Sequence, residues 1–228
     1  MKLSIILPVY NEEDTIREVL DAVLGVDLQA VEKEVIVVDD ASTDRTAEIV
    51  EREPRVTLLR HSANQGKGAA IHTGLKQTTG DVVLIQDADM EYSVADYPAL
   101  LRPFAEGAQV VYGSRFLKRR WPRGMHWTNW MANRVLTVTA NLLYRAHLTD
   151  EATCYKVFRA DLLKSLPLRA GGFDFCPEVT ARVRRRGIRI VEAPIDYIAR
   201  SRVQGKKIRW THGFQALWTL IKHRFGRV

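Results

Sequence analysis

The 228-residue chain is poor in cysteine: it has Cys154 and Cys176 and no Cys-x-x-Cys pair. Neither a structural zinc site nor a disulfide framework is expected, and a reducing, cytoplasmic compartment fits. Long apolar runs are also missing. The N-terminal MKLSIILPVYNEED meets Pro8 and then acids, without a long apolar core or a small-residue cleavage site, so it does not read as a signal peptide. In the second half the longest stretch free of Lys, Arg, Asp and Glu runs from Trp210 to Ile221, too short to span a bilayer. A soluble or peripheral protein is expected. There is no internal repeat and no low-complexity tract, which excludes solenoids and tandem arrays.

What is present is enough to build a core: 46% of residues are apolar, so general disorder is excluded. The formal net charge of +7 hides an asymmetry. Residues 1–111 hold 10 Lys and Arg against 20 Asp and Glu, a net −10. Residues 112–228 hold 24 against 7, a net +17. A second half this basic points to an anionic partner: nucleic acid, a membrane surface or a phosphorylated substrate.

Hydrophobic spacing predicts alternating strands and helices. Strands are expected at Lys2–Val9, Glu34–Val38, Val56–Arg60, Asp81–Gln86 and Val110–Tyr112. Helices are expected at Glu12–Val23, Thr43–Glu51 (capped by Ser42 or Thr43), Gly68–Gln77 and Asp96–Glu106. The strands are apolar runs without clean alternation, the mark of a parallel sheet covered on both faces. The expected fold class is therefore α/β and Rossmann-like, with a mostly parallel central sheet and helices on both faces. After Gly113 the basic segment Lys118–Gly124 breaks regular structure. Further helices are expected at Thr128–Arg145, Leu162–Leu166, Pro177–Arg186 and Ile208–Phe225, and strands at Tyr155–Phe158 and Ile188–Val191. No linker separates two units, so residues 1–228 read as one domain with a basic amphipathic C-terminal elaboration.

In open parallel sheets ligands bind beyond the carboxyl ends of the strands. Those ends carry Tyr10, Asn11 and Glu12; Asp39, Asp40, Ser42 and Asp44; Asn64 to Gly68; and Asp87, Asp89 and Glu91. The run Gln86-Asp87-Ala88-Asp89-Met90-Glu91 is the sharpest feature. In an extended chain its three carboxylates would share one side, and their repulsion calls for a cation. Oxygen ligands favour Mg2+ or Mn2+, which commonly bridge a diphosphate. Gly66-Lys67-Gly68 opens a helix and offers N–H groups and a cation for phosphate. It is neither a Walker loop nor a dinucleotide fingerprint.

Five segments in order carry a resemblance: Pro8-Val9-Tyr10-Asn11-Glu12, Val38-Asp39-Asp40-Ala41-Ser42-Thr43-Asp44, Asn64-Gln65-Gly66-Lys67-Gly68, Asp87-Ala88-Asp89 and Gly113-Ser114-Arg115. The chain resembles the family-2 glycosyltransferases of GT-A fold, and within them the dolichyl-phosphate (polyprenyl-phosphate) mannose synthases. Strong matches cover residues 3–116, and weaker ones reach about residue 210. The resemblance implies a nucleotide-sugar-binding half (1–116) and an acceptor- and membrane-facing half (117–228). Pro8, Tyr10, Glu12, Asp39, Asp40, Lys67, Asp87 and Ala88 would bind the donor. Asp87, Asp89 and Glu91 would hold the metal, chiefly Asp89, although the family often has Gln where Glu91 stands. Asp89, Asp87 and Arg115 would be catalytic. Arg115, Arg134, Arg200 and Lys206 would meet the acceptor phosphate. The late family motif, which usually reads Arg-…-Gly-Glu-Ser-Lys, here lacks its acid: Arg200-Ser201-Arg202-Val203-Gln204-Gly205-Lys206-Lys207.

The implied activity is metal-dependent, inverting transfer of a hexose from a nucleotide sugar to a polyprenyl phosphate. GDP-mannose is the first expectation and a UDP-sugar such as UDP-glucose the next. A phosphate acceptor is already anionic and needs cations more than a base. A hydroxyl acceptor would need a base, with Asp150 and Glu178 as candidates. A non-catalytic nucleic-acid-binding module is the third reading, and it leaves the acidic run unexplained. Trp121, Met125, Trp127, Trp130 and Met131 lie among Lys118, Arg119, Arg120 and Arg123. Phe214, Leu217, Trp218, Ile221 and Phe225 lie beside Lys207, Arg209, Lys222 and Arg224. Both groups suit a lipid headgroup region. A cytoplasmic enzyme, peripherally associated with the membrane and open to a separate membrane-protein partner, is expected.

Overall fold

The computed structural model describes residues 1–199 and 210–226. Among the described residues, seven strands form one sheet in the order β3-β2-β1-β4-β6-β5-β7. They are β1 (Lys2–Val9), β2 (Glu32–Asp39), β3 (Thr57–Arg60), β4 (Val82–Ile85), β5 (Val110–Ser114), β6 (Lys156–Arg159) and β7 (Ile190–Pro194). The helices are α1 (Ile16–Gly25), α2 (Thr46–Glu51), α3 (Lys67–Leu75), α4 (Tyr97–Ala105), α5 (Arg115–Lys118), α6 (Trp127–Tyr144), α7 (Ala160–Ser165), α8 (Phe175–Arg185) and α9 (Trp210–Phe225).

The apolar strands sort their side chains by the two-residue period of a pleated sheet. Leu3, Ile5, Leu7 and Val9 of β1 face one layer, where Ile16, Val19, Leu20 and Val23 of α1 and Leu100 and Phe104 of α4 meet them. Ile6 faces the other layer, built from Ile71 of α3, Leu136 and Ala140 of α6, Val179 and Val183 of α8 and Leu220 of α9. Each fully buried aliphatic side chain contributes roughly 1.5–3 kcal/mol relative to exposure.

Two helices start three or more residues later than expected. Helix α1 begins at Ile16, four residues late, because the Glu12 carbonyl accepts the first N–H groups, from Thr15 at 3.1 Å and Ile16 at 2.9 Å. Helix α2 begins at Thr46 rather than Thr43. Ser42 does not cap it: its hydroxyl accepts the Asn11 N–H at 2.9 Å, and Asp44 takes the Thr46 N–H at 2.9 Å. Residues 40–45 are thereby held as a turn at the end of β2.

Strand β6 breaks the parallel pattern, pairing antiparallel with β4 and β5. The connection from β5 leaves by α5 and α6 and returns to the edge it left, so β6 starts where its neighbours end: Ile85 and Tyr112 both pair with Lys156. The carboxyl ends of the other six strands and the amino end of β6 therefore share one edge.

Candidate active site

Three strand ends at this edge turn through left-handed backbone at non-glycine residues: Asn11 (φ 50°) after β1, Ala41 (φ 62°) after β2 and Met90 (φ 57°) after β4. Such residues cost about 1–3 kcal/mol each and persist where surrounding contacts hold them, commonly at ligand sites. The contacts here are explicit. The Asn11 side-chain oxygen accepts the Thr43 N–H at 2.8 Å, and the Thr46 hydroxyl accepts the Glu12 N–H at 2.8 Å. The Thr15 hydroxyl donates to the Ala88 carbonyl at 2.7 Å and lies 3.1 Å from Glu12 Oε2.

Asp39 is completely buried at the end of β2. Its Oδ1 accepts the Ser42 N–H at 3.2 Å, whereas its Oδ2 has no hydrogen-bond donor and lies 3.7 Å from Arg60 Nε. Asp40 was expected at the donor site. Its carboxylate faces inward, accepting the Gly66 N–H at 2.7 Å, the Gln65 N–H at 2.9 Å and a 2.7 Å contact from His61 Nδ1. It shapes the loop before α3.

The acidic run is a turn, not extended chain, so its carboxylates do not share one side as expected. Gln86 sets its shape. The Gln86 side-chain amide donates to the Asp87 carbonyl at 2.8 Å, and its Oε1 accepts the hydroxyls of Tyr97 at 2.8 Å and Tyr155 at 2.7 Å. Asp87 Oδ1 pairs with Lys67 Nζ, which also lies 3.5 Å from Cys154 Sγ. Lys67, expected at the donor phosphate, is thus paired with Asp87. The N-terminus of α3 is closed in part as well, because the Ala69 N–H donates to the Gly171 carbonyl at 3.0 Å. Asp89 accepts the Glu91 N–H at 3.1 Å. Burial and the nearby charges of Asp87 and Glu91 push its carboxyl up to about 7, so the cluster is short of positive charge. Glu91 is almost fully buried and accepts the Tyr197 hydroxyl at 2.8 Å. It is built into the wall rather than directed beside Asp89 as a third metal ligand.

Among the described residues no group of three or more His, Cys, Asp or Glu side chains is placed to hold a metal ion alone. Mg2+ characteristically uses one or two carboxylates and completes its shell with substrate phosphate and water. Asp87 and Asp89, hard oxygen donors in an undercompensated cluster, fit that pattern.

Arg115, expected to be catalytic and to meet the acceptor phosphate, forms a buried ion pair with Asp150. It is 6% exposed and donates from Nε and a terminal nitrogen to the two oxygens of Asp150, each at 2.7 Å. Burial alone would lower its pKa, but the Asp150 charge outweighs that and holds it well above the usual value. Its guanidinium lies 5.1 Å from the Tyr197 ring centre. Arg134 is half-buried near the rings of Phe116 and Trp130, at 5.8 and 5.9 Å. Asp150 is fully buried on Arg115, and Glu178 takes the Arg169 and Ala170 N–H groups at 2.9 and 2.7 Å and pairs with Arg182 at 3.1 Å. Neither stands free as a base. Pro8 is half-buried within β1, Tyr10 is 36% exposed at the edge, and Ala88 is buried with its carbonyl on Thr15. Arg200, Lys206, Lys207 and Arg209 lie outside the described residues.

Sequence reading missed Gln86, Tyr92, Tyr97, Tyr155, Tyr197, Thr15 and His61 as supports of the site. Gln86 adjoins the acidic run and offered a local signal. The tyrosines offered none, because their partners lie far along the chain.

The fold matches glucosyl-3-phosphoglycerate synthase of Mycobacterium tuberculosis, solved with Mn2+, UDP and glucosyl-3-phosphoglycerate. The TM-score is 0.73 at 23% identity, covering 98% of this chain and 80% of that one. The sheet, with its ligand edge, is that of the GT-A glycosyltransferases. The chain belongs to glycosyl transferase family 2, whose model matches residues 4–166. It is accordingly an enzyme, a hexosyl-transferring glycosyltransferase. An undecaprenyl-phosphate mannosyltransferase of Micrococcus luteus is 32% identical over 99% of this chain and 100% of its own length. A dolichol-phosphate mannosyltransferase of Pyrococcus furiosus is 27% identical over 90% of this chain, which spans only 59% of that protein. A dolichyl-phosphate beta-glucosyltransferase of Trichomonas vaginalis is 28% identical over 98% of this chain and 74% of its own.

Proposed function

We propose that this glycosyltransferase moves a hexose, mannose first, from a nucleotide sugar to a polyprenyl phosphate at a membrane surface, using Mg2+ or Mn2+ and inverting the anomeric carbon. The observation that carries the acceptor class is the engagement of both candidate bases. Asp150 is locked to Arg115 and Glu178 to Arg182 and the 169–170 backbone. A hydroxyl acceptor needs a base, and an ionised phosphate monoester does not. The end-to-end likeness to the M. luteus enzyme supports the same class.

The residues divide the work. Asp39 Oδ2, buried without a donor, suits an N–H of the nucleotide base. Asp89, with Asp87, would hold the metal, and Lys67 offsets the Asp87 charge. A bound divalent cation would neutralise the departing nucleoside diphosphate. The acceptor phosphate oxygen then attacks the sugar C1 as the bond from C1 to the diphosphate oxygen breaks. Arg115 and Arg134 supply positive potential on the acceptor side, and Asp150 fixes the Arg115 fork. Trp121, Trp127, Met131, Val138 and Leu142 on one side and Phe214, Trp218 and Phe225 of α9 on the other are exposed apolar groups. Arg119, Arg120, Arg123, Lys222 and Arg224, also exposed, rim them. Met125 does not belong to that surface, being 5% exposed, and Trp130 is packed against the core. No helix among the described residues is long and apolar enough to cross a membrane, and peripheral docking suits this surface.

The test is a thermal-shift and transfer panel of GDP- and UDP-sugars with and without Mn2+, using a short polyprenyl phosphate and a sugar hydroxyl as rival acceptors. A nucleotide-dependent rise in Tm and transfer to the lipid phosphate alone are expected. Asp89→Asn should lower kcat by roughly 100-fold or more while leaving Tm near wild type. Transfer to the hydroxyl acceptor, or an Asp89→Asn protein with near-normal turnover, would sink this reading.

A further inference from the structure

Residues 195–199, after β7, cross the site as a strap pinned along its length. The Asp196 N–H donates to Asp96 at 2.7 Å, the Ile198 N–H to the Glu91 carbonyl at 3.1 Å and the Ala199 N–H to the Arg123 carbonyl at 3.1 Å. Tyr197 is the one side chain on this strap that meets both sides of the site. Its hydroxyl donates to Glu91 Oε2 at 2.8 Å, and the face of its ring lies 5.1 Å from the Arg115 guanidinium carbon. It is 8% exposed, and its ring packs edge-on against Tyr92 at 5.3 Å. Glu91 is joined in turn to Asp89, since its backbone N–H donates to Asp89 Oδ1 at 3.1 Å. Arg115 is meanwhile fixed from its other side by Asp150.

We propose that Tyr197 is a positioning residue of the transfer reaction. Its hydroxyl fixes Glu91, and through it Asp89, while its ring seats Arg115, so that the donor carboxylates and the acceptor cation keep one spacing. The inference rests on the transferase reading above. Reacting groups must meet at near-contact distance, and a misplacement of about 1 Å can cost roughly 100-fold in rate. Tyrosine suits the task because its rigid ring carries a cation on its face and a donor at its tip. The two functions can be separated, since phenylalanine keeps the face and loses the tip.

The experiment compares Tyr197→Phe and Tyr197→Leu with wild type. The readouts are Mn2+ affinity in the presence of GDP or UDP by electron paramagnetic resonance, kcat and both KM values, and Tm. Tyr197→Phe should weaken Mn2+ binding by up to roughly 10-fold, the low end of what losing a metal ligand's direct partner costs, because Tyr197 acts on Asp89 only through Glu91. It should lower kcat by about 10- to 100-fold and leave KM for a short polyprenyl phosphate within about twofold. Tyr197→Leu should in addition raise that acceptor KM about 10-fold or more, because Arg115 loses its seat. A Tyr197→Phe protein with wild-type Mn2+ affinity and kcat overturns the inference and leaves the transferase reading standing. So does a pair of variants that lose only Tm. A wild-type protein that neither binds Mn2+ with a nucleotide nor transfers sugar overturns the reading and the inference together.

Discussion

At the scale of single residues, the site is defined as much by what holds its charges as by the charges themselves. Arg115 and Asp150 are buried together and joined by two 2.7 Å side-chain bonds. Removing one partner of such a pair leaves an uncompensated buried charge, a loss of about 3–5 kcal/mol. Asp150→Ala should therefore lower the urea midpoint sharply, a change visible in equilibrium unfolding. A midpoint within error of wild type would mean that Arg115 reaches solvent. The Asp87-Ala88-Asp89 motif was legible in the sequence because it is local. The fate of Asp40 was not: its partners His61, Gln65 and Gly66 return to it from 21 to 26 residues away. Lys67 likewise reads as a phosphate cation until Asp87, 20 residues on, is seen to occupy it.

At the scale of elements, the loop before α3 and the segment 170–172 close on each other through glycine. A Cβ at Gly68 would stand 2.2 Å from the Ala170 carbonyl oxygen. One at Gly66, whose φ is +95°, would stand 2.5 Å from the Gly171 oxygen. Backbone cannot yield as a flexible side chain does. Gly68→Ala should cost about 1–3 kcal/mol, with faster hydrogen exchange confined to the amides of residues 63–72 and 169–173. Uniform exchange would show that the clash is absorbed elsewhere. Strand β1 and the apolar stripe of α1 were readable because period and burial are local properties. The reversal of β6 was not, since the composition of a four-residue strand, Lys-Val-Phe-Arg, carries no direction.

At the scale of the whole molecule, the acidic and basic halves of the chain become two sides of one edge. The exposed apolar groups and basic rim predict binding to phosphatidylglycerol vesicles in sedimentation assays. Each Lys or Arg near such a surface contributes about 1 kcal/mol, and salt screens it over a Debye length of about 10 Å at 0.1 M. Binding should fall about 10-fold or more between low salt and 0.5 M NaCl. It should be lost when Trp127, Met131, Trp218 and Phe225 are all changed to Ser. Salt-independent binding, or a quadruple variant that still sediments, would exclude this surface.

The sequence by itself determined the layered α/β architecture, the family and the edge that carries the candidate site, because these follow from short-range periodicity and from motifs placed after strands. The tertiary structure alone decided which charges are spent inside the protein and which face a ligand. Tyr197 reaches Glu91 across 106 residues, and Arg115 reaches Asp150 across 35 because β6 runs backward to the shared edge. Pairings of that range depend on how elements are brought together in space, and no local spacing encodes them.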